Sequence, residues 1–246
     1  MLIDRFLRHR RGVRLEDDER SMLEAALGDI QTLGARNTLV RAGTPLTRST
    51  LLLEGFVSRF IEDRNGLRQL VAIHVPGDFI DLHAFPLRAL DHDIATLTAV
   101  KIANIPHSKL GDTLAARPSI APKLWYATLI DAAIHRAWLF RLGRLDAIGR
   151  VAHFLCETNL RLVAAGLSDG RSFKLGIIQS DLAEICGLTN VHINRVMRIL
   201  REEKFCVFRS SRVEILDLDR LGERGQFDPD YLYLDDNLLP QAGAAS

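Results

Sequence analysis

The sequence lacks any uninterrupted apolar run that approaches the roughly 18 residues needed to cross a bilayer, so no membrane-spanning helix is expected. Its first residues also lack the apolar core of a signal peptide. Cysteine is scarce: Cys156, Cys186 and Cys206 are an odd number of thiols, widely spaced in apolar or helical surroundings. Cysteines in this arrangement are usually small buried free thiols and do not form a disulfide framework. The sequence therefore predicts a cytoplasmic protein.

The chain has no excess of charge of either sign. Its formal net charge is +1 at pH 7, and its pI is near 7.8. A uniformly basic, histone-like DNA binder is excluded, because nonspecific phosphate binding needs a concentrated positive field. The 246 residues, 47% hydrophobic and 26% charged, have the composition of an ordinary globular protein and exceed the usual length of one domain. We expect two domains, with any DNA contact confined to a local surface.

Enzyme motifs are missing as well. The sequence contains no nucleophile elbow, glycine-rich phosphate loop, His-Glu-x-x-His motif or cysteine pair. His153 and Cys156 have helical spacing, which leaves a catalytic dyad as an alternative, although packing within a helix is the favoured interpretation. We predict that the chain is not an enzyme, and we predict no cofactor and no metal site.

Short apolar runs separated by turn residues fill the sequence from Arg36 to about Pro106. Asn65-Gly66 lies between two β-prone runs and predicts a hairpin, because both residues tolerate positive φ. Many short runs at this spacing predict an antiparallel, jelly-roll-like β-roll.

A long helix is predicted after Pro118. Lys123 to Leu142 contains neither glycine nor proline, and apolar residues recur at alternating steps of about three and four. This seam would pack on its own domain or against the same helix of a second subunit. Its position between two domains favours a homodimer, with an interface predicted at Leu124, Ala127, Ile134, Trp138 and Arg141.

The two ends of the chain have weaker patterns. Met1 to Glu19 predicts an amphipathic helix, rich in arginine and ending in an acidic run. The residues after Asp217, which include Pro229, Pro240 and a small-residue end, predict a loosely folded tail.

Residues Gln179 to Val196 have the pattern of a helix-turn-helix. Gly187 is the permissive turn residue between two predicted helices, and Thr189 is a suitable N-cap for the second. The runs Phe205 to Phe208 and Val213 to Leu216 then predict a β-hairpin, or wing. Many helix pairs with an intervening glycine share the pattern, but the hairpin and the preceding long helix favour DNA binding.

A second helix lying in the major groove would present its first turns to the bases. Arg195 and Asn190 are the predicted base readers, since their donors match guanine and adenine edges, and Val191 would meet a thymine methyl. The same turns also present Asn194 and Arg198 to the DNA. Contacts to phosphate are predicted at Ser180, Thr189 and His192, and contacts to the adjacent backbone at Arg209 and Arg212 on the tip of the wing.

From about Leu23 to Leu216 the chain resembles the Crp/Fnr family of bacterial transcription regulators. The matching pieces are Arg41-Ala42-Gly43 with Pro45, Leu52-Leu53-Glu54-Gly55, Pro76-Gly77-Asp78-Phe79, and Asn194-Arg195-Val196. The resemblance implies a homodimer bound to a near-palindromic site with half-sites roughly 34 Å apart. It also implies a small-molecule effector and RNA polymerase as a further candidate partner.

The chain departs from the members of that family that bind cyclic AMP. Asp93 stands where the resemblance implies a phosphate-binding arginine, and a carboxylate repels that anion. An effector of another kind is expected, in a pocket assigned to Asp78, Phe79, Asp81, His83 and Asp93. The alternatives are a haem or metal sensor using His74, His83, His92 or His107, and a scaffold protein that does not bind DNA.

The predicted class is thus α+β: an N-terminal antiparallel β-roll, a long dimerisation helix and a C-terminal winged helix-turn-helix. The predicted boundaries are residues 1–116 for N-terminal helices and the sensor roll, 117–145 for the helix, 146–218 for the DNA-binding domain and 219–246 for the tail.

Overall fold

A computed structural model describes residues 1–239. Seven strands near the N-terminus form a β-roll of two sheets, each antiparallel throughout. In spatial order, one sheet contains β1 (Gln31–Leu33), β7 (Val100–Pro106) and β3 (Arg48–Glu54). The other contains β2 (Thr38–Val40), β6 (Asp93–Thr96), β4 (Val57–Glu62) and β5 (Arg68–His74). Apolar side chains from both sheets meet in a shared core, among them Leu52, Val57, Ile94 and Ile102.

The hairpin predicted at Asn65-Gly66 is confirmed as the turn between β4 and β5. Asp63 Oδ1 accepts hydrogen bonds from the amides of Asn65 (2.8 Å) and Leu67 (2.9 Å). Gly66 adopts a φ of 77°, a left-handed conformation that glycine reaches without steric cost. The turn residues therefore set the register of the two strands.

Three helices surround the roll, and two longer ones lead away from it. The first three are α1 (Asp17–Ala26), α2 (Ala84–Leu87) and α3 (His107–Ala116). The long helix α4 spans Ile120–Arg144, and α5 spans Ala147–Ala164. Asp146 ends the short break between them by capping α5, with its carboxylate accepting from the amide of Gly149 at 2.8 Å. In the part of the chain described, no helix is long and apolar enough to cross a membrane.

The C-terminal part is built as predicted, with two helices followed by a wing. It contains β8 (Ser172–Lys174), α6 (Gln179–Cys186), α7 (Asn190–Glu202), β9 (Cys206–Arg209) and β10 (Arg212–Ile215). The three strands form one small sheet in the order β8-β10-β9. Buried side chains of α5, α6 and α7 share a core that also receives Phe173 and Val213 from the sheet.

The predicted N-terminal helix is wrong. Only a 3-10 turn forms at Leu2–Arg5, and α1 begins after the acidic run has started. Leu7 and His9 have φ values of 56°, so the chain reverses there and buries Ile3, Phe6 and Leu7. The acidic residues favour the start of α1 because carboxylates stabilise the positive end of a helix dipole.

The segment after Asp217 is not a loose tail within the described residues. It forms α8 (Leu218–Arg224) and 3-10 turns at Pro229–Leu232 and Asp236–Leu238. Leu221, Leu232 and Leu234 are fully buried, and Tyr231 donates to Glu157 Oε2 at 2.7 Å. The burial of these leucine side chains stabilises the segment, although its composition is rich in turn-forming residues. Pro240 and the last part of the predicted tail, 240–246, lie outside the described residues.

The predicted dimer seam of α4 faces the chain's own interior. Leu124, Ile134 and Trp138 are buried against the roll and α5, and Ala127 is half-buried. Arg141 is completely buried, donates to the carbonyl of Ile185 at 3.0 Å and stacks over the Trp138 ring. Four of the five predicted interface residues are therefore unavailable to a second subunit, and their assignment to the interface is wrong, while that of Ala127 stays a prediction.

Exposed apolar side chains occupy the outer side of α4 toward both of its ends, with the exposed Arg136 between them. Trp125, Leu129, Leu139 and Phe140 are 67%, 52%, 72% and 42% exposed. At 3.6 residues per turn, these four positions fall on one side of the helix. The helix thus has an inner apolar face that stabilises the chain and an outer one that contacts no described residue extensively.

Candidate nucleic-acid interface

The helix-turn-helix is held by a small apolar core and a tight turn. Leu182, Ile185, Ile193 and Val196 are at most 3% exposed. Gly187 ends α6 with φ 60° and ψ 44°, a left-handed conformation that turns the chain directly into α7. These four apolar side chains are therefore buried, which leaves the opposite side of α7 in solvent.

Thr189 caps α7 as predicted. Its hydroxyl oxygen accepts from the amide of His192 at 3.3 Å. Because one of the amides at the start of the helix is satisfied by the side chain, the helix begins at a defined residue and its first turn is held in place. That turn is where the predicted DNA contacts begin.

The exposed face of α7 is polar from its first residue. The structure leaves six of the predicted contact residues in solvent on this helix: Asn190, Val191, His192, Asn194, Arg195 and Arg198. Val191 is 77% exposed and contributes nothing to the core. Arg198 lies 3.9 Å from Glu202, a loose pair that solvent screens.

Gln179 belongs to this surface and was missed by the sequence analysis. Its Nε2 donates to Asn194 Oδ1 at 2.6 Å, and Asn194 Nδ2 donates to the carbonyl of Asn190 at 2.9 Å. These bonds orient the Asn194 amide before any ligand binds. Gln179 precedes the half-buried Ser180 at the start of α6, and only the tertiary packing of the two helices brings it beside α7.

The wing presents two arginines beside the same surface. Arg209 and Arg212 are directly paired in the β9-β10 register and both are exposed. Ser210 and Ser211 make the tight turn between them with φ values of 47° and 62°. Arg212 Nη2 donates to Ser172 Oγ at 2.9 Å, which anchors that arginine to β8. The wing therefore adds two exposed arginines to those that α7 presents.

The residues assigned to an effector pocket separate into two groups. Asp78, Phe79 and His83 line a cavity between the roll, α4, α5 and the N-terminal segment. Asp81 does not: it is 1% exposed and accepts bonds from the amide and hydroxyl of Thr50. Asp93 is also elsewhere, accepting from Arg41 and from the amide of Ala42. Both carboxylates have structural partners, and their assignment to the pocket is wrong.

Two buried ion pairs cross this region and join separate elements. Arg59 of β4 pairs with Asp131 of α4 and donates twice to the carbonyl of Ile80. Arg161 of α5 pairs with Asp78 at 2.7 Å. Burial opposes ionisation of Asp131, but the attractions of the neighbouring groups, with the Arg59 charge first among them, together outweigh it and lower the pKa of Asp131 to about 2. The roll is therefore connected to both long helices by charged groups.

His153 and Cys156 do not form a dyad. His153 Nδ1 lies 3.0 Å from the carbonyl of Gly225, and its Nε2 lies 3.2 Å from the Tyr231 hydroxyl. Cys156 is 2% exposed, and burial raises the pKa of its thiol above the ordinary range. Among residues 1–239, no cluster of three or more His, Cys, Asp or Glu side chains has a metal-binding arrangement.

A β-roll, a connecting helix and a winged helix-turn-helix with a polar, exposed second helix define a DNA-binding regulator with a sensor-type domain. Residues 149–224 match the family model of the Crp-like helix-turn-helix domain. The transcriptional activator protein FnrL of Cereibacter sphaeroides is 22% identical over 229 residues, 91% of this chain and 91% of FnrL. The anaerobic regulatory protein of Haemophilus influenzae is 21% identical over 209 residues, 85% of this chain and 81% of that protein.

Solved structures have the same fold. FixK2 from Bradyrhizobium japonicum matches with a TM-score of 0.72 at 21% identity, over 79% of this chain and 96% of FixK2. The c-di-GMP responsive regulator CLP of Xanthomonas campestris matches with a TM-score of 0.62 at 18% identity, over 82% of this chain and 100% of CLP. The chain thus contains a Crp-like helix-turn-helix domain and is similar over most of its length to transcriptional regulators of the Crp/Fnr type, and it is a DNA-binding regulator of that type.

Proposed function

We propose that this regulator reads a specific, near-palindromic DNA site as a homodimer, with α7 of each subunit in the major groove. The observation that supports this proposal most strongly is the polar face of α7, whose side chains are exposed from the first turn. The Thr189 cap fixes the residue at which this helix begins. This face combines the aliphatic side chain of Val191 with amide and guanidinium groups. Such a mixture suits thymine methyl groups and base edges.

The residues of this face divide by chemistry. Arg195 and Asn190 read bases, with Val191 at a thymine methyl, because Arg and Asn match the acceptor and donor pattern of purine edges. Ser180, Thr189 and His192 contact phosphate from the start of the helices, while Asn194 and Arg198 lie further along the groove. Arg209 and Arg212 hold the adjacent backbone from the wing.

The homodimer forms, in this proposal, through the outer face of α4 and not through the inner seam. Trp125, Leu129, Leu139 and Phe140 are exposed apolar side chains on the helix that connects the two domains. Exposed apolar groups of this kind are costly in water and mark contact surfaces. Pairing the same face of two subunits gives a twofold axis, as a palindromic site requires.

A signal received at the roll is transmitted through the charged contacts with the helices. Arg59–Asp131 and Arg161–Asp78 connect the roll to α4 and α5, so a shift of the roll changes how these helices pack. This is a two-state coupling between the effector and the spacing of the two α7 helices. The chain acts by binding and not by catalysis, in the cytoplasm, and RNA polymerase is a further candidate partner.

The test selects bound fragments from random DNA and then measures affinity for the selected site by mobility shift. Arg195→Ala should cost about 1 to 3 kcal/mol at one base pair and relax selectivity there. Arg64→Ala, at the exposed tip of the β4-β5 turn, is the matched control and should leave affinity unchanged. An equal loss on every sequence would make Arg195 a phosphate contact, and no salt-sensitive shift would favour a scaffold.

A further inference from the structure

A small pocket, partly open to solvent, lies where four parts of the chain meet. It has a volume of about 70 Å³ and is bounded by the N-terminal segment, the loop after β5, α4 and α5. By the measure in which one water needs roughly 10 to 15 Å³, this holds about five non-hydrogen atoms. The inner part of the pocket is therefore sized for a very small molecule.

The lining is strongly biased toward positive charge. It contains Arg5, Arg8, Arg10, Arg59 and Arg161 against only two carboxylates, Asp78 and Asp131. Both carboxylates are paired, with Arg161 and Arg59 respectively, and Glu157 behind the pocket takes a second contact from Arg161 at 3.3 Å. Arg5 and Arg8 are exposed, so the positive charge without a carboxylate partner lies at the rim of the pocket and on Arg10. Burial lowers the pKa of Arg10 to about 10.

Two buried polar atoms of the lining residues have no hydrogen-bond partner within residues 1–239. They are Nε2 of His74, a residue 3% exposed, and Nε of Arg161, a residue 5% exposed. Polar atoms buried this deeply are almost always bonded, so each needs a partner that the polypeptide does not supply. One is on the roll and the other on α5.

The neighbours of His74 determine which kind of hydrogen-bond partner its unpaired Nε2 requires. Its Nδ1 lies 3.5 Å from Asp78 Oδ2, so the single proton of the neutral ring is favoured on Nδ1. Nε2 is then a hydrogen-bond acceptor, while Arg161 Nε is a donor. A partner for both must offer an anionic oxygen to the arginine and a hydroxyl to the histidine.

We propose that this pocket binds a small oxyanion that also carries a hydroxyl group, with Arg10, Arg161 and His74 as its ligands. The class includes short α-hydroxy carboxylates such as glycolate and the hydrogen phosphate ion, each of five non-hydrogen atoms. A ligand there contacts the N-terminal segment, the roll and α5 together, and so stabilises one packing of the roll on the helices. Its role as the regulatory signal rests on the proposed DNA-binding function, whereas its binding does not.

The experiment is isothermal titration of the full chain with glycolate and with acetate at constant ionic strength. These two carboxylates differ by one hydroxyl, so we expect saturable glycolate binding about tenfold tighter than acetate binding. A parallel titration with hydrogen phosphate distinguishes a carboxylate site from an inorganic one. No saturable binding of glycolate or phosphate, or equal affinity for glycolate and acetate, would overturn the proposal.

Two neighbouring arginines provide a matched pair of variants. Both hold the C-terminal segment, since Arg10 donates to the carbonyl of Leu232 and Arg11 pairs with Asp236 at 2.9 Å, but only Arg10 lines the pocket. Arg10→Gln should weaken binding at least tenfold, while Arg11→Gln should retain it. Equal binding by both variants would place the anion elsewhere.

A mobility shift with and without the bound ligand separates the two proposals. Saturable anion binding with no DNA mobility shift under any condition would contradict only the DNA-binding proposal. Specific DNA binding by a chain that binds no anion would contradict only the pocket proposal.

Discussion

At the residue scale, His74 is a buried base that folding keeps uncharged. Burial, aided by the positive charge of Arg59, lowers the pKa of His74 to about 4 from the ordinary value of 6.5. The unfolded chain therefore takes up this proton at higher pH than the folded chain does. The stability that the neutral ring contributes is present above pH 6.5 and is lost as the pH falls toward 4.

Replacing His74 should flatten this part of the stability profile. We expect this one residue to account for a loss on the order of 2 kcal/mol in the free energy of unfolding as the pH falls through that window. His74→Gln should remove that slope, whereas His192→Gln, on the exposed face of α7, should keep it. Urea titrations of both variants and the wild type at a series of pH values measure this dependence of stability on pH. Burial raises the pKa of Asp81 to about 6, an opposing effect that cancels in the comparison. A wild-type slope in His74→Gln would contradict the assignment.

At the scale of elements, the docking of α8 depends on one close backbone approach. A Cβ atom at Gly225 would lie 2.5 Å from the amide nitrogen of His153, a contact that real Cβ atoms do not make. The backbone conformation of Gly225 is ordinary, with φ −84°, so space and not strain requires glycine. At Gly222, one turn earlier, a Cβ atom would have no neighbour within 4 Å.

These two glycines allow a matched test of that docking. Gly225→Ala should lower the free energy of unfolding by about 1 to 3 kcal/mol, because α8 must move away from α5. Gly222→Ala lies inside the helix and should raise stability by up to about 1 kcal/mol, since alanine favours helix more than glycine does. Chemical denaturation of both variants measures the difference. Equal stability would mean that the C-terminal segment is not docked on α5 in solution.

At the scale of the whole molecule, the outer face of α4 decides whether two subunits assemble. Leu139→Glu places a charge in the proposed apolar interface, where an unpaired carboxylate is costly. We expect this variant to sediment as a monomer and to bind a palindromic site at least tenfold more weakly. Leu87→Glu is the control, since Leu87 is similarly exposed, at 65%, but lies on α2. A stable Leu139→Glu dimer with full affinity would exclude this face.

Docking between domains is also a property of the whole molecule. Arg68 and Gln69 of β5 donate to Glu184 at 2.9 and 2.7 Å, which holds α6 against the roll. Arg68→Ala should loosen α6, detectable as faster amide exchange in α6 than in β8, while the melting of the roll changes little. Unchanged exchange in α6 would show that this contact does not hold the helix.

Local signals in the sequence determined much of this protein: the Asn65-Gly66 hairpin, the Gly187 turn, the Thr189 cap and the polar face of α7 follow from residue chemistry within a few positions. Tertiary packing decided the rest. Which apolar face of α4 is inside depends on α5 and the roll, and the burial of the segment after Asp217 depends on a surface far away in the sequence. The pocket between Arg10, His74 and Arg161 has the same origin, because no local pattern connects residues so distant along the chain.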